Sequence, residues 1–258
     1  MLDELPCQIC GGPCIPLDVM DFNRSGGAES KGIHRPLSGI PVYYYLCRQC
    51  GFCFAPEICK WSMKDFSEKI YNKEYIEVDP DFDKARPEVN ASDLTRIFAG
   101  KEESIRHLDY GGGNGQLSYL LAKSGWDSLS YDPMIDSDDT LMDLKSFNLI
   151  TAFEVFEHVP DVNFLMTQLD SFLADEGLIM FSTLISDGNI MENQRLNWWY
   201  ASPRNGHISL FSRRSLVILA NKYQFKFGSF SKDIHVFFRK VPQWAEHIFN
   251  NQKYNNNN

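Results

Sequence analysis

Four of the seven cysteines form two Cys-x-x-Cys pairs, Cys7/Cys10 and Cys47/Cys50, each followed at once by a glycine, Gly11 or Gly51. Thiolates spaced in this way can close around one tetrahedral zinc ion, with the turn N–H groups offsetting their charge. The rival reading is two pairs of buried or redox-active thiols. An odd cysteine count and an acidic start, Met1-Leu2-Asp3-Glu4-Leu5-Pro6, with no apolar signal segment argue against a disulfide framework. Cys14, Cys53 and Cys59 read as spares, with Cys53 placed in the core by its neighbours Phe52 and Phe54. A second cluster is Glu154-Val155-Phe156-Glu157-His158-Val159-Pro160-Asp161. Two carboxylates and an imidazole this close either bind a divalent cation or supply a general base. The bland alternative for the histidine is a contact at a helix start.

A third group is Leu108-Asp109-Tyr110-Gly111-Gly112-Gly113-Asn114-Gly115. It has the layout of a strand, a tight turn and a helix N-terminus, where glycines let a ligand approach the backbone. Such a loop can cradle a dinucleotide or the nucleoside of S-adenosylmethionine. Asp132, at the end of the next strand candidate, can accept hydrogen bonds from ribose hydroxyls in either case.

The elements that must hold these groups alternate from Ser104 onward. Strands are expected at residues 105–110, 129–131, 147–153, 178–182, 225–230 and 234–238, and helices at 116–123, 162–173 and 212–222. That pattern predicts an α/β, Rossmann-like fold with a mostly parallel sheet. Only Ser231-Lys232-Asp233 separates the last two strands, too little for a parallel crossover, so they should form an antiparallel hairpin. The glutamate–histidine cluster then falls at the carboxyl end of a central strand, the edge where open α/β sheets bind ligands. Residues 1–60 are expected to form a small zinc-binding module and 61–100 a helical connecting or lid segment. Residues 101–240 form the nucleoside-binding domain, and 241–258 an Asn-rich tail, disordered at its end.

The 258 residues carry a net charge of −9, with 43% hydrophobic and 23% charged residues. An acidic chain argues against affinity built on phosphate neutralisation, and no apolar run is long enough to cross a bilayer. Arg204, Arg213 and Arg214 are the one candidate basic patch; a solvated helix start is the plainer reading. The expected location is cytoplasmic, and the residues leave the oligomeric state open.

The glycine loop, Asp132-Pro133, the Glu154–Asp161 block and Glu176-Gly-Leu-Ile-Met-Phe-Ser-Thr183 resemble class I S-adenosylmethionine-dependent methyltransferases. The subgroup is the one containing ubiquinone-type, sugar and natural-product enzymes, and the likeness spans residues 101–240. A parallel sheet ending in an antiparallel hairpin belongs to that class rather than to dehydrogenases. The cysteine-rich leader resembles the zinc-binding segment of some sugar methyltransferases, which implies structural zinc.

The resemblance implies that Asp109, Gly111, Gly113 and Gly115 wrap the cofactor, that Asp132 holds its ribose, and that Phe153 and Glu154 border the methyl-transfer site. It also implies an adenine contact from a segment that is short here, with Asp143-Leu144 the nearest equivalent. A second likeness is to small-RNA 2′-O-methyltransferases, whose Glu-x-x-Glu-His and distant histidine hold a divalent ion. The matching residues are Glu154, Glu157, His158 and His207, with Mg²⁺ or Mn²⁺ as the ion. Without an ion, His158 or His207 would act as general base. Trp198, Trp199 and Tyr200 would form a lid or a sugar-stacking wall, or simply pack the loop.

The expected activity is O-methylation of a small polar acceptor, such as a sugar or glycan-pathway metabolite. The alternatives are a metal-dependent RNA 2′-O-methyltransferase, a zinc-bearing scaffold with a vestigial pocket, and an NAD-dependent enzyme.

Overall fold

The computed structural model describes residues 3–29, 31–136 and 146–250. Asp143-Leu144 and the end of the Asn-rich tail lie outside the described residues. In chain order the first strands are β1 (Leu5–Pro6), β2 (Pro13–Asp21), β3 (Pro41–Cys47) and β4 (Cys53–Phe54). They are followed by β5 (Arg106–Tyr110), β6 (Asp127–Tyr131), β7 (Phe147–Ala152) and β8 (Leu173–Ser182). The last are β9 (Ser209–Leu210), β10 (Lys226–Ser229) and β11 (Ile234–Phe238). The chain divides into two compact units, each assembled from separated stretches.

The first unit comprises Met1–Pro80, Glu154–Thr167 and Thr183–Tyr223. Its sheet is antiparallel, in the order β1-β2-β3-β4-β9. The pairing of β2 with β3 runs from Cys14 opposite Cys47 to Asp21 opposite Pro41, with an irregularity between Pro16 and Asp18. Pro16 cannot donate to a ladder, so the slip falls where the missing N–H does least harm. Tyr44, Ile58, Ile70, Ile208 and Leu210 form the centre of this unit's core.

The second unit comprises Asp81–Phe153, Gln168–Ser182 and Gln224–Asn258. Its six-stranded sheet runs β10-β11-β8-β7-β5-β6. Strands β6, β5, β7 and β8 are parallel, and β11 and β10 are antiparallel additions. This is the expected Rossmann-like sheet with its terminal hairpin. Strand β7 is largely apolar and almost wholly buried, as a central parallel strand covered on both faces must be. Leu94, Phe98, Leu121, Leu149, Leu178, Val236 and Phe238 form one apolar cluster of this unit. Phe249, on the short helix Glu246–Asn250, packs into the same cluster. No helix among the described residues is long and apolar enough to cross a membrane.

Candidate functional site

In the second unit, β5 delivers the glycine loop and Gln116–Lys123 forms the helix behind it. Gly111, Gly113 and Gly115 all have positive φ. At Gly113 nothing among the described residues lies within 4 Å of where a β-carbon would be, so that face of the loop is open to a ligand. Gly112 is the reverse case: a β-carbon there would collide with the Asp109 carboxylate and the Ser130 hydroxyl. Asp132 braces the loop, its Oδ2 accepting the Gly113 N–H at 2.8 Å and its Oδ1 the Met134 N–H at 2.8 Å. Each carboxylate oxygen can accept a second donor, which leaves capacity for a ribose diol.

Asp109 is only 4% exposed and sits at the end of a buried polar chain. Thr151 Oγ1 donates to Asp109 Oδ1 at 2.9 Å, and His107 Nε2 lies 2.9 Å from the same Thr151 oxygen. His107 Nδ1 meets the Ser128 hydroxyl at 2.7 Å. Register builds this chain: Asp109 faces Thr151 on β7, and His107 faces Ser128 on β6. Since Thr151 spends its one proton on Asp109, His107 must donate through Nε2 and accept at Nδ1. Burial pushes Asp109 up to about 7, helped by the charge of Asp132, and pulls His107 down to about 3. Sequence reasoning found Asp109 but missed His107, Ser128 and Thr151.

In the first unit, Glu157, His158 and His207 each present a ligand atom, all within 4.8 Å of one another. The segment bearing the first two opens with Glu154 at a φ of +54°, a left-handed conformation unusual for a residue with a side chain. Phe156–His158 then form a 3₁₀ turn. Asp161 ends it by accepting the N–H groups of Asn163 and Phe164, capping the helix Val162–Phe172. His207 is brought beside Glu157 by the bond from Ile208 N–H to the Glu157 carbonyl, 2.9 Å. The fully buried Tyr44 adds a bond from its phenol to the His207 carbonyl at 2.8 Å. The His158 and His207 rings are 4.9 Å apart in an edge-on arrangement.

Glu157 is fully buried. Tyr200 donates its phenol proton to Oε1 at 2.6 Å, while Oε2 has no hydrogen-bond partner among the described residues. Desolvation, reinforced by the charge of Glu154, raises Glu157 well above the usual carboxylate range. A buried carboxylate oxygen beside two imidazoles suits a bound cation, which would supply the missing partner. Glu154 acts on Glu157 electrostatically but stands outside the group of three.

The aromatic run divides. Tyr200 is buried and Trp198 packs against the core, while Trp199 is half-exposed. Arg204 is no part of a basic surface, being 2% exposed with its guanidinium donating to the Ile70 carbonyl and to Asn72.

The four thiols Cys7, Cys10, Cys47 and Cys50 also gather within 4.8 Å of one another. Cys7 and Cys50 sulfurs are 3.6 Å apart, and those of Cys10 and Cys47 3.4 Å. Zinc–sulfur bonds of about 2.3 Å in a tetrahedron imply separations of about 3.8 Å, so the set fits a zinc ion. Each pair sits in a turn closed by a glycine N–H, Gly11 to the Cys7 carbonyl and Gly51 to that of Cys47. Cys14 and Cys53 are fully buried.

A family model described as a methyltransferase domain matches residues 82–228. The chain belongs to the methyltransferase-domain family. That agrees with the class I reading of the sequence, in which S-adenosylmethionine is the methyl donor. A search of curated protein sequences gave no match.

Among solved structures, this methyltransferase is similar to Burkholderia thailandensis 1,6-didemethyltoxoflavin-N1-methyltransferase, determined with 1,6-didemethyltoxoflavin and S-adenosylhomocysteine. Identity is 14% and the TM-score 0.49, covering 79% of this chain and 96% of that one. A second is the PH0226 protein from Pyrococcus horikoshii OT3, with 14% identity, a TM-score of 0.45, and coverage of 66% and 100%. A third is an O-methyltransferase family protein from Burkholderia thailandensis, with 9% identity, a TM-score of 0.47, and coverage of 72% and 67%.

Proposed function

We propose that this methyltransferase transfers a methyl group to a hydroxyl of a small polar acceptor of the sugar, glycan-pathway or natural-product kind. The observation that carries the reading is the convergence of Glu157, His158 and His207 on one point. S-adenosylmethionine, when bound, supplies an electrophilic methyl group, so the chain's task is to align an acceptor oxygen and remove its proton.

Asp109, Gly111, Gly113, Gly115 and Asp132 hold the cofactor in this reading, with Asp132 reaching its ribose. Phe153 and Glu154, which continue β7 beyond Ala152, border the transfer site. Glu157, His158 and His207 would hold a divalent ion, and that ion would lower the pKa of the acceptor hydroxyl. Two imidazoles and one carboxylate suit Mn²⁺ or another transition ion better than Mg²⁺, which prefers oxygen ligands. His158 and His207 keep a nitrogen lone pair for this purpose only while neutral. Zinc held by Cys7, Cys10, Cys47 and Cys50 would be structural, tying the turn before β2 to the turn after β3. The net charge of −9 and the half-exposed Trp199 support a small polar acceptor rather than a nucleic acid.

The test is a screen of nucleotide-sugars and glycan precursors with labelled S-adenosylmethionine, with and without Mn²⁺. Calorimetry with S-adenosylhomocysteine runs alongside it. Labelling that requires Mn²⁺, and that His158→Ala and His207→Ala reduce with S-adenosylhomocysteine affinity intact, is the expected result. Full turnover in both variants would reject the reading.

A further inference from the structure

Tyr200 makes two bonds that converge on the carboxylate–imidazole cluster. Its phenol donates to Glu157 Oε1 at 2.6 Å. Its backbone carbonyl lies 2.7 Å from His207 Nδ1, and a carbonyl can only accept, so that nitrogen carries the proton. The His207 lone pair is then on Nε2. The two rings also pack together, with centroids 4.2 Å apart, which limits rotation of the imidazole. Tyr200 itself is 3% exposed and wedged by Trp198 and Trp199, so its position is set by packing rather than by solvent.

We infer that Tyr200 is the positioning residue of this cluster, its phenol orienting Glu157 and its carbonyl fixing the tautomer of His207 so that both present acceptor atoms to one cation. The inference rests on the metal-assisted reading above and adds to it a residue that touches neither donor nor acceptor. Groups that orient metal ligands from behind typically govern affinity by about 10–100-fold. Tyr200→Phe removes the phenol oxygen and leaves the ring and the carbonyl in place, so it isolates the bond to Glu157.

The experiment uses the full chain loaded with one equivalent of zinc, which the four thiolates take up first, and Mn²⁺ as the probe, since thiolate sites hold Mn²⁺ poorly. Loss of the free-ion electron paramagnetic resonance signal reports binding. Tyr200→Phe should weaken Mn²⁺ at least tenfold while leaving the S-adenosylhomocysteine affinity, and hence the fold, unchanged. In a Glu157→Gln background the same substitution should have no further effect, because the phenol acts through that carboxylate. Nitrogen-15 spectra of the native protein should show His207 protonated at Nδ1.

Native Mn²⁺ affinity in Tyr200→Phe would overturn the inference alone, as would a proton on Nε2 of His207. Failure of the native protein to bind Mn²⁺ would overturn the metal reading, and this inference with it.

Discussion

Gly206 and His158 approach so closely that a β-carbon at position 206 would lie 2.9 Å from His158 Nδ1. Gly206 also has a φ of +87°, ending the short turn Pro203–Asn205 just before His207. Two requirements therefore meet in one glycine: a left-handed backbone, and room for a histidine ring. Gly206→Ala should destabilise the protein by about 1–2 kcal/mol through the backbone alone. It should also displace His158 and weaken Mn²⁺ more than the stability loss accounts for. Denaturant unfolding and Mn²⁺ titration of the same variant separate the two effects. Unchanged Mn²⁺ affinity would show that the close approach is incidental.

The four-thiol site gives a prediction about metal and fold together. Cys47 and Cys50 are each 1% exposed at the end of β3, and Cys47 pairs in register with Cys14. Zinc analysis of the native protein should find one ion per chain. The double variant Cys47→Ser/Cys50→Ser should lose that ion and several degrees of thermal midpoint, because the sheet order β1-β2-β3 depends on the two turns. Zinc retained at native content would reject this site.

Much of the sheet was legible because local signals agreed with the global fold. Gln116–Lys123 and Ile234–Phe238 were read at their observed bounds, one set by the glycine loop before it and the other by an apolar run. The three-residue gap before β11 was enough to require a hairpin. Strand β2 is absent from the sequence reading; its Pro13 and Pro16 fall at the strand's first residue and at an irregularity, where a missing N–H is tolerated. Strand β9 has only two residues and exists by pairing with β4, a partner far away in the chain.

The sites divide in the same way. Glu157 and His158 are adjacent in sequence and stood out, and His207 came through family likeness. Tyr44 did not, and Tyr200 was read only as a lid, a stacking wall or packing, because an aromatic ring does not show in sequence that its hydroxyl meets the His207 carbonyl or the Glu157 carboxylate. His107, Ser128 and Thr151 lie on three different strands, and only the register brings them together. The placement of Glu154 outside the group of three also depends on backbone geometry, its left-handed φ, that side-chain spacing does not convey.

Asp132 braces the glycine loop by hydrogen bonds and Gly112 leaves room within it, which makes a matched pair of tests. Asp132→Ala removes the acceptor for two backbone N–H groups, Gly113 and Met134. Each lost charge-assisted bond is worth about 1.5–3 kcal/mol, and the ribose contact would go with them. S-adenosylhomocysteine affinity should fall at least tenfold by calorimetry. Gly112→Ala instead drives a methyl group into Asp109 and Ser130, with an overpacking cost of about 1–3 kcal/mol. It should lower both stability and affinity. Ser130→Ala added to Gly112→Ala should restore part of each by clearing space. No rescue would mean that the loop is limited by the Asp109 side alone.

The buried pair His107 and Asp109 predicts a pH dependence in which two slopes cancel. Asp109 is raised from 3.8 to about 7, so the native state keeps a proton that the unfolded chain gives up. Its contribution is full below pH 3.8 and declines as pH rises through 7. His107 is lowered from 6.5 to about 3, so its contribution is full above pH 6.5 and declines as pH falls towards 3. Between pH 4 and 6.5 the two act in opposite directions, each with a limiting slope of about 1.4 kcal/mol per pH unit. Asp109→Asn exposes the histidine slope, so the variant's stability relative to the native protein should rise with pH across that window. His107→Gln exposes the carboxylate slope, so its relative stability should fall across the same window. Urea unfolding at half-unit steps of pH measures both. Parallel native and variant curves would mean that the Ser128–His107–Thr151–Asp109 chain does not hold its protons in the arrangement described.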